Sequence, residues 1–219
     1  EAETYTAKAM KLISKWGIDQ SLLEAKAKTS TIVDRKFQVV APFARDKVTF
    51  LFAVVRALGG RAVWRKNRAN KGFQELQVFA TETDMNRIDM LFTSLLVQCS
   101  TAMNHAVSVS WEARHQPRKF KSDFLYGFST EVGHRLGVAE RKASRDAETT
   151  AAAQGTSTAR VLITKKEKID DRVDEVYKNL TNGRRSNRIV GDGYGHGQDA
   201  GKRADIGGKK GTKQGALIH

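Results

Sequence analysis

The chain has 219 residues, with 38 lysines and arginines against 24 acids, a net charge of +14 and a pI near 10. Forty per cent apolar residues suit one sizeable core with an appendage, and no run approaches the eighteen apolar residues of a membrane-spanning helix. A single cysteine, Cys99, excludes an intrachain disulfide and fits a reducing compartment or the inside of a particle.

Tyr5, Ala9, Leu12, Ile13 and Trp16 share a helical face, and Gly17 has the character of a residue that ends a helix. Asp19 then reads as the cap of a short second helix carrying Leu22 and Leu23, which makes residues 1–29 a helical hairpin. The first residue is Glu with a helical pattern already under way, so the native chain is expected to start earlier.

Residues 30–182 read as an α+β core. Val33, Phe37 and Val39 alternate with polar residues as a half-buried strand, closed by Pro42. A helix follows from Ala44 to Leu58, stopped by Gly59-Gly60. Two strands, Ala62–Lys66 and Phe73–Ala80, flank a polar turn. From Glu82 to Asn104, Met85, Ile88, Phe92, Leu95, Leu96, Cys99 and Met103 form one stripe, with Thr81 as N-cap and Glu82 and Asp84 in the first turn. Cys99 on that stripe is a buried small hydrophobe, not a nucleophile.

Pro117 opens a further helix carrying Phe120, Phe124, Phe128, Val132, Leu136 and Ala139. Arg145–Thr158 lacks periodicity and reads as a linker; Arg160–Thr164 suggests a strand and Lys166–Leu180 a helix. Residues 183–219 hold ten glycines and eight positive residues against three aspartates, a basic Gly-rich extension that composition predicts to need a partner to become ordered. A short helix near Asp199–Ile206 is compatible with it.

Reactive motifs are sparse. Gly201-Lys202 is followed by Arg203 where a phosphate loop needs Ser or Thr. The five histidines show no HxxxH or HExxH spacing, and Gly127–Glu131 lacks the closing glycine of a nucleophile elbow. Asp170, Asp171 and Asp174 alternate with lysines and an arginine, as a solvated helix face does.

Positive charge, in contrast, is clustered. Arg61, Arg65, Lys66, Arg68 and Lys71 surround Trp64 on the expected hairpin, with no acid before Glu75. Arg114, Arg118 and Lys119 gather with Trp111 at the start of the Pro117 helix, where free backbone amides favour phosphate. Arg184, Arg185, Arg188, Lys202, Arg203, Lys209, Lys210 and Lys213 populate the extension. Such clusters predict binding to phosphate backbone with little sequence preference and steep salt dependence.

Residues 7–19, AKAMKLISKWGID, resemble the end of the N-terminal domain of the actinobacterial and phage family called domain of unknown function 2786. Ala41–Lys47, Thr93–Gln98, Phe124–Phe128 and Ala200–Gly207 are similar to its C-terminal companion domain. The resemblance implies a bacterial or phage setting and an N-terminal helix absent here. It also implies that Gly201–Gly207 belongs to the shared architecture, and it lends no catalytic residue.

The expected fold is therefore α+β: a helical hairpin, a small mostly antiparallel sheet under the Glu82–Asn104 and Pro117–Ala143 helices, and a basic extension. The expected function is non-catalytic nucleic-acid binding, DNA or RNA, with no cofactor, no metal and no membrane partner, in the cytoplasm or a virion. Alternatives are a particle protein whose arm contacts other subunits, and a metal-dependent nuclease.

Overall fold

A computed structural model describes residues 2–26, 31–65, 72–152, 157–181 and 190–207. The class is α+β, mostly helical, with one three-stranded antiparallel sheet. In chain order the elements are α1 (Ala2–Lys26), β1 (Ile32–Val40), α2 (Ala44–Ala57), β2 (Arg61–Arg65) and β3 (Phe73–Thr81). Then come α3 (Glu82–Val109), α4 (Trp111–His115), α5 (Pro117–Ala152), α6 (Thr158–Val176) and α7 (Asp192–Arg203).

The strand order is β1-β3-β2, with Val33 opposite Ala80, Phe37 opposite Leu76, and Trp64 opposite Leu76 on the other side. Because side chains alternate along a strand, Leu76, Val78 and Ala80 of β3 enter the main core with α2 and α3, while Phe79 faces the opposite way. On that second face Phe79 packs with Ile169 and Val173 of α6, and the Tyr177 ring meets it edge-on at 6.3 Å. Both faces of the sheet are thus covered, which explains why β3 is buried nearly throughout.

Local chemistry sets the helix ends. Gly59, at φ 78, supplies the left-handed residue that turns the chain from α2 into β2. Thr81 Oγ1 accepts the Asp84 amide at 3.3 Å and so starts α3, as its spacing predicts. Ser110 does the same for α4 through Ala113, and Ser157 for α6 through Arg160.

The longest element, α5, buries Phe120, Phe124, Phe128, Val132 and Leu136 along one face. It packs on α2, which lies between it and the sheet, rather than on the sheet as expected. Phe50 of α2 meets Phe128 edge-on at 5.6 Å and Phe92 of α3 at 5.7 Å, the aromatic centre of the core.

Four expectations are corrected. The hairpin over residues 1–29 is one continuous helix in its described part: a Cβ at Gly17 would lie 2.1 Å from Arg87 Nη1, so this glycine admits a guanidinium instead of ending a helix. The buried face of α1 is Ser14, Gly17, Ile18 and Ser21, while Leu12, Trp16 and Leu23 are exposed. Residues 145–152 prolong α5, and the strand expected at Arg160–Thr164 is the first half of α6, whose Ile169 and Val173 seat it on the sheet.

The fourth concerns the extension. Residues 190–207 pack against α5 within the same chain, and Ala200, Ala204 and Ile206 join the main core. Glycine makes this possible. A Cβ at Gly193 would stand 2.3 Å from Phe120 O, one at Gly197 2.1 Å from Phe124 O, and one at Gly127 2.1 Å from Tyr194 O. The contacts rise together in number, so α7 runs parallel to α5, backbone against backbone.

Candidate nucleic-acid interface

The structure separates the sequence-predicted cations into three groups. Arg61, Arg65, Lys119 and Lys202 are held by acids. Arg61 Nη1 meets Asp170 Oδ1 at 2.5 Å, Arg65 meets Glu75 at 3.8 Å, and Lys202 meets Asp199 at 2.9 Å. Lys119 Nζ lies 2.7 Å from Asp123 and 3.7 Å from Glu112. Lys66, Arg68, Lys71, Arg184, Arg185, Arg188, Lys209, Lys210 and Lys213 lie outside the described residues. Arg114 and Arg118 are exposed and have no acid partner among the described residues, while Arg203, also exposed, stands near enough to Asp199 to help hold its carboxyl down after Lys202.

The hairpin cluster is thereby weakened as a phosphate surface. Trp64 is also occupied: its Nε1 donates to Gln74 Oε1 at 3.1 Å, and Arg45 stands 5.9 Å over its ring. Amide capture of phosphate at the junction of α4, α5 and α7 is likewise pre-empted. Asp123 and Glu112 accept the Gly191 and Gly193 amides at 2.9 and 3.3 Å, and the Phe120 amide donates to Gln116 O at 2.9 Å.

What remains at that end is a platform. Trp111 is 71 % exposed, and its ring stacks on His115 with centroids 4.1 Å apart and an interplanar angle of 31°. His115 Nδ1 lies 3.0 Å from Trp111 O, so the imidazole is fixed one turn along α4. Arg114 and Arg118 flank the pair in sequence with their charges uncompensated. An exposed indole braced from behind, with two guanidiniums nearby, offers a flat apolar face and phosphate donors together.

Sequence reasoning missed a second basic site. Between the end of α2 and the second half of α5 lies an open cleft of about 740 Å³, whose rim carries Arg56, Arg141 and Arg145. The available signal was the one-turn spacing of Arg141 and Arg145 beyond Gly133 and Gly137, masked because that stretch runs into composition that reads as a linker.

Next to this cleft, α1, α3, α5 and α6 meet in a buried ionic knot. Arg87 donates to Asp84 Oδ1 (3.0 Å) and to Glu140 Oε1; Asp84 also accepts from Lys165 Nζ and from Thr81 Oγ1 (3.0 Å). Lys165 reaches Ser21 Oγ at 3.3 Å, and Ser21 donates to Gly17 O at 2.9 Å. Two acids and two bases cancel, so the knot fixes helix register rather than presenting charge.

Among the described residues no group of three or more His, Cys, Asp or Glu converges in a way that could hold a metal ion. Cys99 is buried, and burial pushes its thiol up to about 12. No helix is long and apolar enough to cross a membrane, among the described residues.

Comparison with family models, with curated proteins and with solved structures found no match to this chain.

Proposed function

We propose that this protein binds nucleic acid without catalysing a reaction on it, and that the Trp111 platform receives an unpaired strand. The observation that carries the reading is the exposed Trp111 ring, stacked on His115 and accompanied by Arg114 and Arg118, two cations with no acid partner among the described residues. Base faces are available in single strands and hidden in a duplex, so stacking favours the former. The net charge of +14 adds a long-range attraction that brings any polyanion to the surface. A bacterial or phage setting, implied by the family resemblance, is compatible with this role.

A salt titration of binding to a labelled single-stranded oligonucleotide and to its duplex tests the reading. The single strand binds more tightly, and Trp111→Ala loses about 1–3 kcal/mol of that affinity. Removing Arg114 and Arg118 together flattens the log–log salt slope by about 1.4, since each phosphate contact on a single strand contributes about 0.7. Salt-independent binding, or none, would overturn it.

A further inference from the structure

We infer that the cleft between the end of α2 and the second half of α5 binds a phosphorylated small molecule. Its phosphates lie at Arg56, Arg141 and Arg145, and its uncharged body lies in the chamber behind them. Arg141 and Arg145 are one helical turn apart, an arrangement in which like charges repel unless acids offset them. The acids of this half of α5 are all engaged elsewhere. Glu140 pairs with Arg87, Asp146 with Lys11 at 3.8 Å, and Glu148 with the first amides of α6. Arg56, in the last turn of α2, likewise has no acid partner among the described residues. Three arginines with no acid partner among the described residues therefore line one opening, and the guanidinium fork matches phosphate oxygens.

The shape agrees with the charge. Gly133 and Gly137 put no side chain on the floor, and a Cβ at Gly137 would stand 3.1 Å from Arg141 Nη1, so this guanidinium lies over bare backbone. Behind the rim is a chamber of about 210 Å³ that shares Ala57, Gly59, Glu140 and Ser144 with the cleft, so the two form one space. Ile18, Leu58 and Leu162 give the chamber apolar wall. Beside them stand the mutually paired Asp84, Arg87, Glu140 and Lys165, with Lys166 also on its lining. Arg87 gives the chamber a buried Nε with no hydrogen-bond partner, a donor in want of an acceptor. An anionic end and a compact body with a hydrogen-bond acceptor describe a nucleoside phosphate. The site lies roughly 35 Å along α5 from the Trp111 platform, so it stands independently of the nucleic-acid reading.

Calorimetric titration of the full chain with ADP and with pyrophosphate is the test. ADP binds at sub-millimolar concentration, and binds about tenfold or more tightly than pyrophosphate because only ADP fills the chamber. Arg141→Ala with Arg145→Ala weakens ADP at least roughly tenfold, and Arg56→Ala weakens it in the same direction. Lys168→Ala, which removes an equal charge from α6, leaves it unchanged. Circular dichroism and melting temperature check that each arginine variant keeps the parent fold. Absence of binding to both probes at millimolar concentration, or equal loss with Lys168→Ala, overturns the proposal. Equal affinity for the two probes removes the chamber from it. If the arginine substitutions weaken an oligonucleotide while ADP gives no heat, the cleft belongs to a nucleic-acid surface and the proposal falls.

Discussion

The side-chain amide of Gln98 pairs with the backbone of Asp205 as a neighbouring strand would: Gln98 Nε2 donates to Asp205 O at 2.9 Å, and Gln98 Oε1 accepts the Asp205 amide at 2.7 Å. Gln98 lies on α3, and Asp205 follows the end of α7. The neighbouring Arg135 of α5 donates to the carbonyls of Gly201 and Ala204, the latter at 2.9 Å, and Ile206 is buried. Two helices, α3 and α5, thus hold one short segment that has no regular hydrogen bonding of its own.

Gln98→Ala removes both bonds at once and leaves the Asp205 groups to water. The expected cost is about 1–3 kcal/mol, since each of the two bonds contributes about 0.5–1.5. Urea unfolding measures the cost, and amide exchange at Asp205 and Ile206 speeds up more than exchange in β3. Unchanged exchange at those two amides would show that Arg135 suffices.

Two glycines of α7 should respond to alanine in opposite directions. Gly197→Ala puts a methyl 2.1 Å from Phe124 O, a backbone atom that cannot swing away, so α7 must lift from α5. A loss of about 3 kcal/mol is expected, the upper end for overpacking. A Cβ at Gly195 meets nothing within 4 Å, and Gly195→Ala should gain about 0.5–1 kcal/mol from helix propensity alone. Melting temperatures of the two variants moving the same way would contradict the packing described.

Arg87→Ala leaves Glu140 and part of Asp84 buried without a partner. Such a break costs about 3–5 kcal/mol. The comparison variant is Arg35→Ala, whose exposed pair with Asp89 at 3.2 Å contributes no more than about 1 kcal/mol. Chemical denaturation of both separates the buried knot from a surface ion pair.

Glu148 joins α5 to α6: its Oε2 accepts the Ala159 amide at 2.8 Å, and its Oε1 accepts Ser157 Oγ–H at 3.0 Å. The Ala159 amide first, and the Ser157 hydroxyl after it, hold this carboxyl below the ordinary glutamate value of 4.5. A depressed folded-state value means that the contribution is complete above the ordinary value and is lost as pH falls below it through the folded one. The gap in melting temperature between the parent and Glu148→Gln is therefore present at neutral pH and closes progressively below pH 4.5. A gap that widens with acid would reverse the sign.

Much of the core was legible because its signals are local. Strand alternation at Val33, Phe37 and Val39, the Gly59 stop and the Thr81 cap each act within a few residues. Gly17 and the α7 glycines misled because glycine has two uses, conformational freedom and close approach, and only a neighbour in space tells them apart. Four glycines in twelve residues contradict helix propensity, and α7 forms because α5 accepts its bare backbone. The apolar set read as one face, Tyr5, Ala9, Leu12, Ile13 and Trp16, did not mark the buried side of α1: Leu12 and Trp16 are exposed, and Ser14, Gly17 and Ser21 are buried instead, Gly17 against the Arg87 guanidinium. At the candidate site, clustering of cations was readable, but their pairing was not. Asp170 neutralises Arg61 across 109 positions of chain, whereas the acids beside Arg141 and Arg145 turn elsewhere.

The middle of the α5–α7 seam is main chain against main chain at Gly193 and Gly197, while charged side chains close its ends: Asp123 and Glu112 accept the Gly191 and Gly193 amides, and Arg135 donates to the Gly201 and Ala204 carbonyls. Dissolved ions and acid act on charges, so they reach those ends and find nothing to act on in the glycine-lined middle. Salt and acid that loosen the two ends should therefore leave the central contact of α7 on α5 seated, because shape alone holds it there.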